Sequence, residues 1–300
     1  MSARRGNMLT KHGRINRVRL RRESLLKTAR TTTEVRIRRG YFECRYGQLH
    51  VHNAIPPGGG FDEGTPILAL HGSPVSGAAF APLLPLLGRG RSVYAPDLPG
   101  FGASDGPPSR PSIGDYAAAV GDFCDTMRFR QIDLLGYQSG SLVAAELALT
   151  RSGSVRRLVC ISVPVASDAD REAFQRAPWP LPPAEDGSHL AVEWERTRKA
   201  ALSGLTLRQI ARLFAEKLRN GTEAWWGMQA ALEYPARERL GRITQPTLII
   251  RPKDEWWQGS LRARELMPRA KLAELPEVGE EALESAPQRI AEMVLAFLTP

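Results

Sequence analysis

Two glycines four residues apart constrain this chain most. Gly136-Tyr137-Gln138-Ser139-Gly140 follows an apolar run at residues 132–135 and precedes helix-forming residues 142–150. That order reads as a strand turning sharply into a helix. Glycines two residues before and after the turn's apex let the backbone fold back without Cβ clashes. Such a turn holds its central side chain outward, and that side chain is Gln138. A carboxamide is not a nucleophile at neutral pH, so the scaffold is legible while the usual chemistry of such an apex is not.

The flanking pattern is strand–helix alternation. Residues 34–39, 41–45 and 48–54 read as strand, with bends at Gly40 and Gly47. Residues 66–70 (PILAL) form a continuous apolar run, as expected of a strand buried on both faces. Residues 78–87 are helical in composition, 92–95 a strand, 113–127 a helix, and 157–163 a strand. Residues 247–250, 261–266, 271–275 and 287–298 continue as strand, helix, strand and helix. Alternation of this kind predicts an α/β fold with a mostly parallel sheet covered on both faces.

Residues 166–242 break the rhythm and read as a helical insertion. Within it Thr206 is a plausible N-cap, Leu207, Ile210, Ala211, Phe214 and Leu218 share one helical face, and Gly221 stops the helix. The expected division is a core at 34–165 and 243–300, a helical cap at 166–242, and a separate N-terminal extension at 1–33.

Charge isolates that extension. Residues 1–30 hold ten basic residues and one acid, Glu23, so this segment carries the whole net charge of +9 and the remainder sums to zero. It reads as a disordered, solvated extension or a translated stretch upstream of the true start. The alternatives are an arm for nucleic acid or anionic lipid, and a transit peptide. No aromatic residue within it offers a base-stacking platform. No apolar run approaches the roughly 20 residues of a membrane helix. Three scattered cysteines, Cys44, Cys124 and Cys160, suggest buried thiols in a reducing cytoplasm.

Four landmarks in order resemble the α/β-hydrolase family over residues 34–300, especially its branch with prolyl aminopeptidases, epoxide hydrolases and haloalkane dehalogenases. They are His71-Gly72-Ser73-Pro74 after the PILAL strand, Asp97-Leu98-Pro99-Gly100-Phe101-Gly102-Ala103-Ser104, the elbow at 136–140, and residues 246–254 (PTLIIRPKD) followed by Gly279, Pro287 and Phe297-Leu298. The resemblance implies an oxyanion hole from the backbone N–H groups of Ser73 and Ser139. It implies a structural, buried His71, and it places Gln138 where Ser, Asp or Cys would attack.

Asp254 matches the family's acid, whose task is to orient a histidine. The Gly-His pair expected before the last helix is here Gly279-Glu280, so Glu280 stands in the base position. No histidine follows His189, which reads as a surface residue of the insertion, with a swing over the site as the other possibility. Two carboxylates in one low-dielectric pocket cannot both ionise cheaply, so one should hold its proton. A protonated Glu280 would then donate to Gln138 or to a ligand. The competing expectation is that Glu280 turns to solvent and pairs with Lys or Arg.

Tyr137, Trp256 and Trp257 are the candidate ligand-lining residues, and the ligand implied is a small apolar or aromatic organic molecule. Trp179, Trp194, Trp225 and Trp226 of the insertion either line that pocket or pack the cap onto the core. No dinucleotide fingerprint, P-loop or HExxH pattern occurs, so neither a cofactor nor a metal is expected. Three readings follow. They are a divergent enzyme using Gln138, Asp254 and Glu280, a non-catalytic pseudoenzyme that binds a ligand or partner, and a hydrolase with a displaced triad drawing on Ser139 or His189.

Overall fold

Eight strands form one sheet in a computed structural model of the chain, which describes residues 34–59, 63–177, 181–200 and 204–299. The basic extension at 1–33 and Trp179 lie outside the described residues. The strands are β1 (Arg36–Cys44), β2 (Gly47–Ile55), β3 (Ile67–Leu70), β4 (Val93–Pro96), β5 (Ile132–Tyr137), β6 (Val155–Ile161), β7 (Thr247–Pro252) and β8 (Lys271–Leu275). Their order is β1-β2-β4-β3-β5-β6-β7-β8. The β1–β2 and β2–β4 pairs are antiparallel and the other five are parallel.

Burial follows from sequence. Strands β3, β5 and β7 are buried at every position, which is why apolar residues run consecutively in them (67–70, 134–135 and 248–250) rather than alternating. One face packs on helices Ile113–Thr126 and Ser139–Thr150, through Phe123, Leu142, Leu147 and their neighbours. The other packs on Leu84–Leu87 and Pro287–Leu298, through Leu83, Leu87, Ile290 and Val294. Helix Ser139–Thr150 is buried almost all round, so it is apolar on nearly every side.

Two local expectations are corrected. Gly40 is not a bend: β1 runs straight through it, paired with Val51 of β2. Residues 78–87 are not one helix. They form a 3-10 turn Gly77–Phe80 and a short helix Leu84–Leu87, with Pro85 near its N-terminus.

Between β6 and β7 the described residues hold helices Asp168–Arg176, Ser188–Ala200, Leu207–Arg219, Trp226–Glu233 and Ala236–Leu240, and a 3-10 turn Gly221–Trp225. Thr206 caps its helix as expected, in a reciprocal box with Gln209. The apolar stripe of that helix is mostly not buried: Leu207 is 69% and Leu218 37% exposed, and Ile210 alone is fully buried.

Polar contacts tie this helical segment to the sheet's loops. The Asn220 amide accepts from Gly102 N–H at 3.0 Å and donates to Pro74 O at 3.2 Å. Ser73 Oγ donates to Ala224 O at 2.5 Å, and Gln209 Nε2 to Glu284 at 3.0 Å. No helix among the described residues is long and apolar enough to cross a membrane.

Candidate functional site

All the predicted site residues sit at or just beyond the C-terminal ends of parallel strands. Ser73 follows β3, Gln138 follows β5, Asp254 follows β7 and Glu280 follows β8. Open α/β sheets bind ligands along this edge.

The elbow is built by its glycines. Gln138 adopts φ 49°, ψ −126°, a conformation rare for any residue with a side chain. Its N–H donates to Ile161 O at 2.9 Å, and its carbonyl accepts from Ser141 N–H at 2.8 Å. A Cβ on Gly136 would stand 2.4 Å from Ser141 Cα, and one on Gly140 would stand 2.1 Å from Leu70 O. The chain therefore closes this turn only with glycine on both sides. Gln138 lies against Gly72, where a Cβ would meet its Cβ and Oε1 at 2.7 Å. Its carboxamide makes no hydrogen bond to any described residue.

The loop after β3 is held from below by His71. Its Nδ1 lies 2.9 Å from Gly72 O, and its Nε2 accepts from Leu98 N–H at 2.8 Å. These partners define a neutral imidazole, and complete burial pushes its pKa down.

The expected oxyanion hole is altered in a specific way. Ser73 N–H donates to Ser139 Oγ at 2.9 Å, and Ser139 is 2% exposed. The donor that should await a substrate oxygen already has an intramolecular acceptor. Ser139 borders a small separate void together with Leu98, Phe101 and Tyr116.

Asp254 is gripped locally. Its Oδ1 accepts from Trp256 N–H at 3.0 Å, and its Oδ2 accepts a short hydrogen bond from the Ser162 hydroxyl. Ser162 itself holds a positive φ of 57°. Burial pushes the Asp254 carboxyl up to about 7; the Ser162 bond opposes that rise and the Glu255 charge adds to it. Glu280 accepts from Glu255 N–H at 2.8 Å. Burial, then the charges of Glu255 and Asp254, push its pKa up to about 8. Glu280 is half-buried, pairs with no described cation and does not hydrogen-bond to Gln138.

Gln138 and Glu280 nevertheless border one cleft of about 260 Å³. Tyr137 and Trp256 line it, with Ser73, Met228 and Trp225. Trp257 does not line it. Its ring carries the Arg251 guanidinium 3.7 Å from the centroid and Lys253 Nζ at 4.9 Å. His189 lies in a neighbouring groove, where its Nδ1 accepts from Ala184 N–H at 3.1 Å.

The sequence reading missed Glu193, Arg196, Lys217, Glu255 and Glu281, which also line the cleft. A signal existed: both acidic positions are doubled, as Asp254-Glu255 and Glu280-Glu281. It also passed over His50 and His52, whose rings converge on Asp97 at 2.9 and 3.5 Å. This is the one described grouping of metal-ligand type. Asp97 is committed there to the N–H groups of Gly77 and Ala103, both at 2.9 Å, so the cluster fixes the loop after β4.

A β-strand-to-helix elbow, a histidine-braced loop after β3 and an acid after β7, all on the C-terminal edge of an eight-stranded sheet, define an α/β-hydrolase architecture. The chain belongs to the alpha/beta hydrolase family, whose model matches residues 67–293. Among curated relatives, 2-hydroxymuconate semialdehyde hydrolase of Pseudomonas sp. (strain CF600) is 34% identical over 119 residues, 36% of this chain and 41% of that protein. Epoxide hydrolase 2 of Siraitia grosvenorii is 38% identical over 104 residues, 33% of each chain. These matches span only 41% and 33% of the relatives' own length. Among solved structures, a bromoperoxidase from Bacillus anthracis superimposes with TM-score 0.72 at 17% identity, covering 88% of this chain and 100% of that one. At that identity the likeness shows the fold alone.

Proposed function

We propose that this chain binds a small organic molecule in the cleft between its strand ends and the helical segment 166–242, which acts as a cap over a core of 34–165 and 243–300. In this reading it does not hydrolyse its ligand through a serine–histidine–aspartate relay. One observation carries the reading: the Ser73 N–H that would stabilise an oxyanion is bonded to Ser139 Oγ. The other positions agree. The elbow apex offers the carboxamide of Gln138, Asp254 is bonded to Ser162 rather than to a histidine, and Glu280 stands where a base would. Removing single members of such a relay costs orders of magnitude in rate, because they act as a unit. The relatives' names, for a semialdehyde and for epoxides, support a small organic ligand.

A second reading has its own support. A Glu280 carboxyl titrating near 8 still carries a proton at neutral pH and borders the cleft. A divergent enzyme would use it as a general acid, with Gln138 and Asp254 as hydrogen-bonding partners.

One experiment separates the two. Small esters, lactones and epoxides are offered to wild type, Gln138→Ala and Glu280→Gln, with turnover and thermal stabilisation read in parallel. The binding reading expects stabilisation without turnover. Turnover that falls at least tenfold in either variant would replace it with the second.

A further inference from the structure

The cleft's lining is more acidic than an apolar ligand requires. Glu193, Glu255, Glu280 and Glu281 border it, with Asp254 beneath, against Arg196 and Lys217. Arg196 lies 3.9 Å from Glu193. Lys217 is the cation whose field reaches Glu193, Glu255 and Glu281. Among the described residues no cation comes within ion-pair distance of Asp254, Glu255, Glu280 or Glu281.

Two buried polar atoms at the same cleft also lack close hydrogen bonds. Tyr137 is 2% exposed and its hydroxyl has no hydrogen bond. Trp256 is 8% exposed and its Nε1–H makes no close hydrogen bond, the Glu255 carboxylate being the acceptor it faces. Both residues border the cleft. Unpaired buried polar groups are costly and rare, and these two atoms lie beneath the cleft wall rather than open to it.

The carboxylates do not converge as metal ligands do. The one described set whose ligand atoms all lie within 4.8 Å of each other is His50, His52 and Asp97, elsewhere in the fold. Spread carboxylates suit a cation carried on a larger body, and Tyr137, Phe174, Trp225 and Trp256 supply aromatic wall for that body.

We infer that the cleft selects a protonated organic amine, its ammonium facing Glu280, Glu281 and Glu255 and its body against the aromatic wall. The inference rests on the binding reading above and names the ligand's chemical class. Binding should also release protons. Glu280 faces Asp254 and Glu255 from the β7 loop, Glu281 from its own, Tyr137 and Gln138 from the elbow, and Lys217, Arg196 and Glu193 from the helical segment. An arriving ammonium favours the ionised carboxylates, so affinity should rise as pH climbs toward 8.

The test is calorimetric titration of the full chain with benzylamine, benzyl alcohol and benzoate at matched ionic strength, at pH 6 and pH 8. Benzylamine should bind at least tenfold tighter than benzyl alcohol, tighten from pH 6 to pH 8, and release protons into the buffer. Glu281→Gln should weaken benzylamine about tenfold and leave benzyl alcohol unchanged. Benzyl alcohol or benzoate binding as tightly as benzylamine would overturn the assignment of a cation while leaving a binding pocket in place. No binding of any of the three by a protein with an intact unfolding transition would overturn both.

Discussion

The backbone N–H of Ser73 donates to the hydroxyl of Ser139, 2.9 Å away and 66 residues along the chain. The bond links the loop after β3 to the first turn of the elbow helix, and it does so underneath Gln138. A serine immediately after the apex is short enough to reach back to that loop. Ser139→Ala should therefore leave a buried N–H without its acceptor, costing about 1–2 kcal/mol in chemical denaturation. A serine-directed fluorophosphonate should not label Ser139 in the folded wild type, because the hydroxyl is buried and no histidine activates it. Stoichiometric labelling of Ser139 would revive a displaced nucleophile.

The elbow's strain sits on Gln138. A residue with a side chain in such a backbone region stores of order 1–3 kcal/mol. Gln138→Gly should relieve part of it, raising stability by about 1 kcal/mol after its own entropic cost. Gly136→Ala and Gly140→Ala should act oppositely. Their Cβ atoms would meet backbone of the elbow helix and of β3. Each should cost at least about 3 kcal/mol, or prevent folding. Urea midpoints of the three variants measure this directly.

The elbow was legible because its requirement is steric and local, and glycine is the only solution. Strand β8 and helix Pro287–Leu298 were legible for a similar reason, with apolar spacing bounded by proline or turn residues. Gly40 misled because an edge strand tolerates a glycine that sequence reads as a break. The Leu207–Arg219 stripe misled because apolar periodicity says which residues share a face, not whether a partner covers it. Within the site, positions aligned with landmarks could be named, while the additional carboxylates were signalled only by the doubling of each acid. Glu255 and Glu281 adjoin the landmark acids in sequence, and only the fold brings the loops after β7 and β8 together. Trp257 shows the converse. Next to the acid in sequence, it spends its ring on Arg251 and Lys253.

Stability should fall as the solution becomes alkaline. The folded pKa values of Asp254 and Glu280, about 7 and about 8, lie above those of unfolded carboxylates. The folded state thus binds more protons than the unfolded one between roughly pH 4 and pH 8, and stability declines across that window. Below it both states are protonated and the stabilising contribution is complete; above it the contribution is gone. Glu280→Gln keeps an oxygen for Glu255 N–H but has no proton to lose. Its melting temperature should match wild type near pH 4 and exceed it by about 2–4 °C at pH 9. Melting curves from pH 4 to pH 9 check this; parallel curves for the two proteins would show that Glu280 ionises without cost.

The helical segment also depends on a buried carboxylate far from the cleft. Glu146, on the elbow helix, accepts from Tyr234 Oη and from Arg239 Nε, both at 2.9 Å, with a second short bond from Arg239 Nη2. Both donors belong to the segment between β6 and β7, so this pairing links that segment to the core. Truncating one partner of a buried pair leaves the other charge uncompensated, which is worse than lacking the pair altogether. Arg239→Met should therefore cost about 3 kcal/mol, and the double change with Glu146→Leu should recover most of that loss. Protection of amides in helices Trp226–Glu233 and Ala236–Leu240 should fall in the single variant and return in the double. Equal losses in the single and double variants would mean that the contact works through packing of the arginine stem, not through the charge of Glu146.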